Sequence, residues 1–167
     1  HDAKGLINLM GGEEVYSKQL QKVFNIGQFD MANEPDIGYP YLFNFVKGEE
    51  WRTQEKVSKL INQYFKNTPE GLPGNDDTGT MSAWLIYSMM GIYPISPAEP
   101  SYTITRPVFD KITIQLDSKY YKNKQLIIEK KGQGKIDKIQ INGKTIKSYF
   151  ISHASLVNGY NLKINLQ

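Results

Sequence analysis

Met81-Ser82-Ala83-Trp84-Leu85-Ile86-Tyr87-Ser88-Met89-Met90-Gly91-Ile92-Tyr93-Pro94 is the stretch on which the fold turns. Its first ten residues are apolar nearly all round and stop at a glycine, a natural residue just past a helix end, so they predict a buried helix over Met81–Met90. From about Pro94 the spacing changes from helical to alternating, with Pro94, Pro97, Pro100 and Pro107 punctuating the crossing. Upstream, Val57, Leu60, Ile61, Tyr64 and Phe65 recur at helical spacing with Lys56, Lys59, Gln63 and Lys66 opposite, which predicts an amphipathic helix over about 54–66. Glu13 to Phe24 reads the same way. Downstream, 111–116, 125–130, 136–141 and 162–166 alternate or are rich in β-branched residues, and Asn142-Gly143 is a strong hairpin signal. Asn158-Gly159 marks a second turn. Helices followed by antiparallel strands argue for an α+β chain, helical over 1–95 and β over 96–167, rather than an alternating α/β sheet. So few helices, one very apolar, read as a piece of a larger helical array.

A chain of 167 residues can bury a real core as one domain or two small ones. The absence of cysteine excludes disulfides and thiolate metal sites. No apolar run approaches the roughly 20 residues that span a bilayer, and no signal peptide is visible at the start. The net charge of +3 conceals an asymmetry: positions 1–100 hold 8 Lys/Arg against 13 Asp/Glu, and 101–167 hold 12 against 4. The lysines of the basic half alternate with β-branched residues, as in Lys135-Ile136-Asp137-Lys138-Ile139, which is the wet face of a strand. No aromatic and basic recognition signature accompanies them, so nucleic acid is not an expected partner.

Two loops carry the chemistry. Gly74-Asn75-Asp76-Asp77-Thr78-Gly79-Thr80 places adjacent carboxylates in a glycine-bounded turn that opens directly onto the apolar helix. Carboxylates there can bind a cation or handle a proton; equally, an acid before a helix can be a cap that favours the macrodipole. Asn33-Glu34-Pro35-Asp36 sets an amide oxygen beside a carboxylate where Pro35 restricts the backbone. Hard oxygen donors suit calcium better than zinc, although Asn-Glu-Pro is also an ordinary way to begin a helix.

In these blocks the chain resembles glycoside hydrolase family 92, the calcium-dependent exo-acting α-mannosidases, often described as α-1,2-mannosidases. The resemblance rests on Asn33-Glu34-Pro35 with Pro40-Tyr41-Leu42-Phe43-Asn44, on Gly74-Asn75-Asp76-Asp77 running into Met81-Ser82-Ala83-Trp84, and on Gly91-Ile92-Tyr93-Pro94 followed by Tyr102 and Pro107-Val108-Phe109-Asp110-Lys111. It continues through Asn142-Gly143-Lys144 and Ile151-Ser152-His153. The resemblance implies the C-terminal part of an enzyme with an (α/α)6 catalytic barrel and a β-sandwich region, acting on mannose-containing glycans outside the cell, at its surface or in the periplasm. His1-Asp2 resembles the end of a block whose earlier positions carry a glutamate general acid, so the acid is expected in a missing N-terminal portion of the same enzyme, and the isolated chain is expected to be inactive.

By motif position the resemblance makes Asp77 the general base, with Asn75 where some relatives carry a further acid that helps hold the water. It makes Asn33 and Asp76 calcium ligands, Glu34 a ligand or sugar contact, and His1 a neighbour of the substrate. Asp36-Ile37-Gly38-Tyr39 stands where some relatives carry polar residues that shape linkage preference. A reading from a different class is a non-catalytic carbohydrate-binding or structural β module with supporting helices. Trp84, Met89 and Met90 read as core, and His153 as structural.

Overall fold

The computed structural model describes residues 2–96 and 98–167, and the chain is α+β, dividing into two compact units, one running to Ile86 and one from Tyr87 to Gln167. The first unit contains α1 (Ala3–Leu9), α2 (Glu13–Asn25), a 3-10 turn (Glu34–Asp36), a 3-10 helix (Tyr39–Phe45), α3 (Glu50–Tyr64) and the start of α4 (Thr80–Met90). One cluster of its core gathers Ile7 of α1, Tyr16 and Leu20 of α2, Phe43 of the 3-10 helix and Val46 just beyond it. Two of the predicted helices appear close to their expected limits. α3 starts four residues earlier than periodicity indicated, because Glu50, Trp51 and Arg52 extend it past the last apolar landmark.

Helix α4 differs from the expectation of complete burial: Met81 and Trp84 are buried, whereas Ile86 is 57% exposed. It packs by one side. Gly91 ends it with φ +79°, a left-handed conformation that only glycine adopts without cost, and a Cβ there would stand 2.6 Å from Pro107 Cγ.

The second unit holds β1 (Ile92–Tyr93), β2 (Ser101–Ile104), β3 (Lys111–Gln115), β4 (Gln125–Lys131), β5 (Ile136–Ile141), β6 (Lys144–Ile146), β7 (Phe150–Ser152), α5 (His153–Asn158) and β8 (Asn161–Leu166). The strands form a three-stranded antiparallel sheet, β1-β2-β7, and a five-stranded sheet, β3-β4-β8-β5-β6. One pairing, β4 with β8, is parallel, so the larger sheet is mixed rather than wholly antiparallel. The return from β7 through α5 supplies the crossover that a parallel neighbour requires. Ile92, Ile104 and Ile151 of the small sheet share one core with Leu126, Ile128, Ile139, Leu162 and Ile164 of the large one, a sandwich-like arrangement. Asn142 and Gly143 lie at φ +49° and +79°, the two left-handed residues of a type I′ hairpin between β5 and β6. The second expected turn, Asn158-Gly159, instead closes α5, a helix too short for periodicity to show. It is started by Ser152, whose Oγ accepts from the Ser155 amide at 3.1 Å.

Candidate functional site

The acidic turn is organised by the helix it opens. α4 must satisfy the amides of its first turn without a helical partner for them. Thr80 N–H donates to the Asp77 carbonyl and Met81 N–H to the Asp76 carbonyl, both at 3.3 Å, and Ala83 N–H reaches Gly79 O at 2.8 Å. The remaining amide, Ser82, donates to Asp76 Oδ1 at 2.7 Å, while Ser82 Oγ donates to Asp76 Oδ2 at 2.8 Å. Asp76 therefore folds back six residues onto the helix as a charged cap, well placed against the macrodipole.

The chain accomplishes that return through three consecutive left-handed residues: Asp77 at φ +42°, Thr78 at +62° and Gly79 at +90°. For Asp77 and Thr78 this conformation costs energy, and the costs persist where the surroundings over-determine the backbone. Thr80 Oγ1 contributes by donating to the Asp77 carbonyl at 2.9 Å. The outcome is a division of labour between neighbours. Asp76 is half-buried and bonded through both oxygens, whereas Asp77 is exposed and its carboxylate has no hydrogen-bond partner among the described residues. Asn75 is exposed as well.

The Asn-Glu-Pro loop is built by a second buried carboxylate. Asp36, 7% exposed, accepts the Asp30 amide through Oδ2 at 2.9 Å, and Asp30 Oδ1 accepts the Ala32 amide at 2.9 Å. These bonds close 30–36 into a compact loop with the fully buried Met31 beneath it. Asn33 precedes the 3-10 turn with Pro35 near its start, and its side chain makes no capping bond. Asn33 and Glu34 are exposed. The far end of the loop is tied to α4 by the Trp84 indole N–H, which donates to Ile37 O at 2.9 Å.

The two loops meet. A Cβ added at Gly74 would stand 2.9 Å from Ala32 Cβ and 3.2 Å from its Cα, so only glycine permits this approach. Asn33 follows Ala32 and Asn75 follows Gly74, so the predicted residues Asn33, Glu34, Asn75, Asp76 and Asp77 come from two adjoining loops of one unit. His1 lies outside the described residues. Among the described residues no three His, Asp or Glu side chains converge as a metal group, so a cation here needs amide or backbone oxygens beside the carboxylates.

Asp36, Ser82 and Trp84 stand within the motifs, but the sequence does not show that Asp36 closes its loop, that Ser82 caps onto Asp76 or that the Trp84 N–H donates to Ile37 O. The Asp76 to Ser82 separation exceeds the usual capping spacing, and a buried indole gives no hint of where its N–H points. Tyr41 is fully buried against Trp84, with ring centroids 6.2 Å apart. His153 is held between Tyr102 Oη at 2.9 Å and Tyr121 Oη at 3.4 Å, a structural setting in the second unit.

The family model of the glycosyl hydrolase family 92 catalytic domain matches residues 1–167. The chain belongs to glycosyl hydrolase family 92. It superimposes with a TM-score of 0.88 on a family 92 α-mannosidase of Bacteroides thetaiotaomicron, at 27% identity over 99% of this chain and 23% of that one. An inverting family 92 mannosidase of the same bacterium gives a TM-score of 0.83 at 26% identity, over 100% of this chain and 26% of its own. Among curated proteins, an uncharacterized secreted glycosidase of Arthroderma benhamiae is 28% identical over 99% of this chain and 22% of its length. The chain thus spans about a quarter of the length of these proteins.

Proposed function

We propose that this chain supplies the base and metal half of an inverting, calcium-dependent exo-α-mannosidase that releases mannose from α-mannosides. The observation that carries the proposal is the pairing of a pinned carboxylate, Asp76, with a free one, Asp77, on a strained turn lying against the Asn33-Glu34 loop. Membership of family 92 and the names of its solved relatives, one an α-mannosidase and one an inverting mannosidase, support the substrate class.

Inversion requires one carboxyl group to protonate the leaving oxygen and another to activate water from the opposite face, the pair standing about 6.5–9.5 Å apart. Asp77 serves as the base: with no partner to satisfy, its oxygens are available to take a proton from water, and the over-determined turn keeps its Cα in place. Asn75 helps hold that water. The acid comes from an upstream portion of the complete protein, which also completes the (α/α)6 barrel and covers the outer side of α4. On this reading the isolated chain is inactive.

The donors fit calcium. They are oxygens throughout: Asn33 Oδ1 is not used for capping, Glu34 is exposed, and each Asp76 oxygen retains a lone pair after bonding Ser82. Asn33 and Asp76 would hold the ion, with Glu34 as a further ligand or a contact to the sugar. An ion held by these residues would supply positive charge to the sugar hydroxyls beside Asp77, and ring distortion toward the oxocarbenium-like transition state contributes several kcal/mol in glycosidases. Action outside the cell follows the same reading, in keeping with the secreted relative.

The test is hydrolysis of an α-mannoside by the complete protein, followed by NMR of the first-formed sugar. β-Mannose is expected. α-Mannose would exclude inversion, and failure to release mannose from any α-linked donor would exclude the activity.

A further inference from the structure

Helix α4 carries two ties to the loops of the proposed site, and they lie two residues apart. Ser82 grips Asp76 through its amide and hydroxyl. Trp84 grips the Asn-Glu-Pro loop, its indole N–H donating to Ile37 O across 47 residues of sequence at 2.9 Å. Ile37 is the residue that closes the 3-10 turn, its amide donating to Glu34 O at 3.3 Å. The indole is oriented before it reaches that carbonyl. It is fully buried, stacked on Phe65 at 5.5 Å with planes 7° apart, and met edge-on by Tyr41.

We propose that Trp84 is a positioning residue, whose N–H sets the Asn33-Glu34 loop in register with the acidic turn, α4 acting as the common ruler. The proposal rests on the reading that the two motifs form one site. Packing alone does not call for an N–H, since a two-ring side chain without a donor would fill the same space between Phe65 and Tyr41. What tryptophan adds is a donor directed at the one segment that must be aligned with Asp76 and Asp77. Two residues of helix separate the ties by only about 3 Å of axial rise, so little play accumulates between them. Ångström-scale misplacement of positioning groups can cost about a hundredfold in rate, which makes so short a ruler consequential.

The experiment uses Trp84→Phe and, in case its ring packs poorly, a chain with 3-benzothienylalanine at position 84, which keeps the two-ring outline and replaces the N–H by sulfur. Amide hydrogen exchange is the first readout. The Asp36 and Ile37 amides, bonded to Asn33 O at 2.9 Å and Glu34 O at 3.3 Å, should exchange about tenfold faster, while Thr80 and Met81 keep their rates. Ser82→Ala should produce the converse pattern. Calcium titration is the second readout: both position-84 variants should bind calcium about tenfold more weakly, as expected from a lost buried hydrogen bond. If the unsubstituted chain binds no calcium, the metal reading fails and exchange alone decides on Trp84. Unchanged exchange at Asp36 and Ile37 in the sulfur isostere, or acceleration spread evenly over the whole unit, overturns the proposal.

Discussion

Replacing Asp76 with alanine should destabilise the helical unit by about 2 kcal/mol, and most of that loss should disappear when Ser82 is already alanine. The carboxylate accepts two short bonds from one residue, the third of α4, and supplies a negative charge to the helix N-terminus. Loss of a capping oxygen costs about 0.5–2 kcal/mol, and loss of a charge at this end about 0.3–1 kcal/mol. Asp76→Asn, which keeps one acceptor oxygen for the Ser82 amide but loses the charge and the acceptor of the Ser82 hydroxyl, should cost about 1 kcal/mol. Urea unfolding followed by Trp84 fluorescence in a Trp51→Phe background reports the unit directly. With a slope near 2 kcal/mol per molar, the alanine variant should shift the midpoint by about 1 M. The double-mutant cycle decides the cause, for a direct pair predicts a coupling of at least about 1 kcal/mol. Additivity within about 0.5 kcal/mol would refute the claim that Asp76 and Ser82 form the cap.

Gly74→Ala should drive the two loops apart, because the new Cβ meets Ala32 at 2.9 Å, and overpacking of this kind costs about 1–3 kcal/mol; thermal unfolding should register it, together with weaker calcium binding. Burial pushes the Tyr16 and Tyr93 phenols up from 10.0 to about 12. Their raised values imply stability that is fully present below about pH 10 and lost as pH rises through about 12, because the unfolded chain releases these protons first. The urea midpoint should fall over that window and fall less in Tyr16→Phe or Tyr93→Phe. In the complete enzyme, Asp77→Asn should lower kcat by about 10²–10⁴-fold with the fold unchanged, measured as mannose release; retained activity would remove Asp77 from the role of base.

The fold was legible where side-chain spacing was long and regular. α2 and the body of α3 show in their apolar stripes, α4 in a run that is apolar nearly all round, and β3, β4, β5 and β8 in alternation. Short elements escaped. α1, α5 and β1 offer too few residues for a period to emerge, and β2 and β7 border the prolines and serines that punctuate that region. The parallel β4–β8 pairing was hidden as well, since alternation reveals which face a residue takes but not the direction of its neighbour. The site shows a similar division. The motifs themselves, Asn33-Glu34-Pro35 and Asn75-Asp76-Asp77, are visible as acids and amides in turns. Their contact is not, because it depends on the absence of a side chain at Gly74, and the different states of Asp76 and Asp77 depend on three left-handed residues that no local pattern announces.

If the two loops make one metal-binding half-site, calorimetric titration of calcium into the chelator-stripped chain, repeated with Asn33→Ala and Asp76→Asn, will show it. The unsubstituted chain should bind calcium saturably, and binding should be lost or greatly weakened in both variants, one from each loop. Binding that survives either substitution, or no binding at all, would contradict a shared half-site.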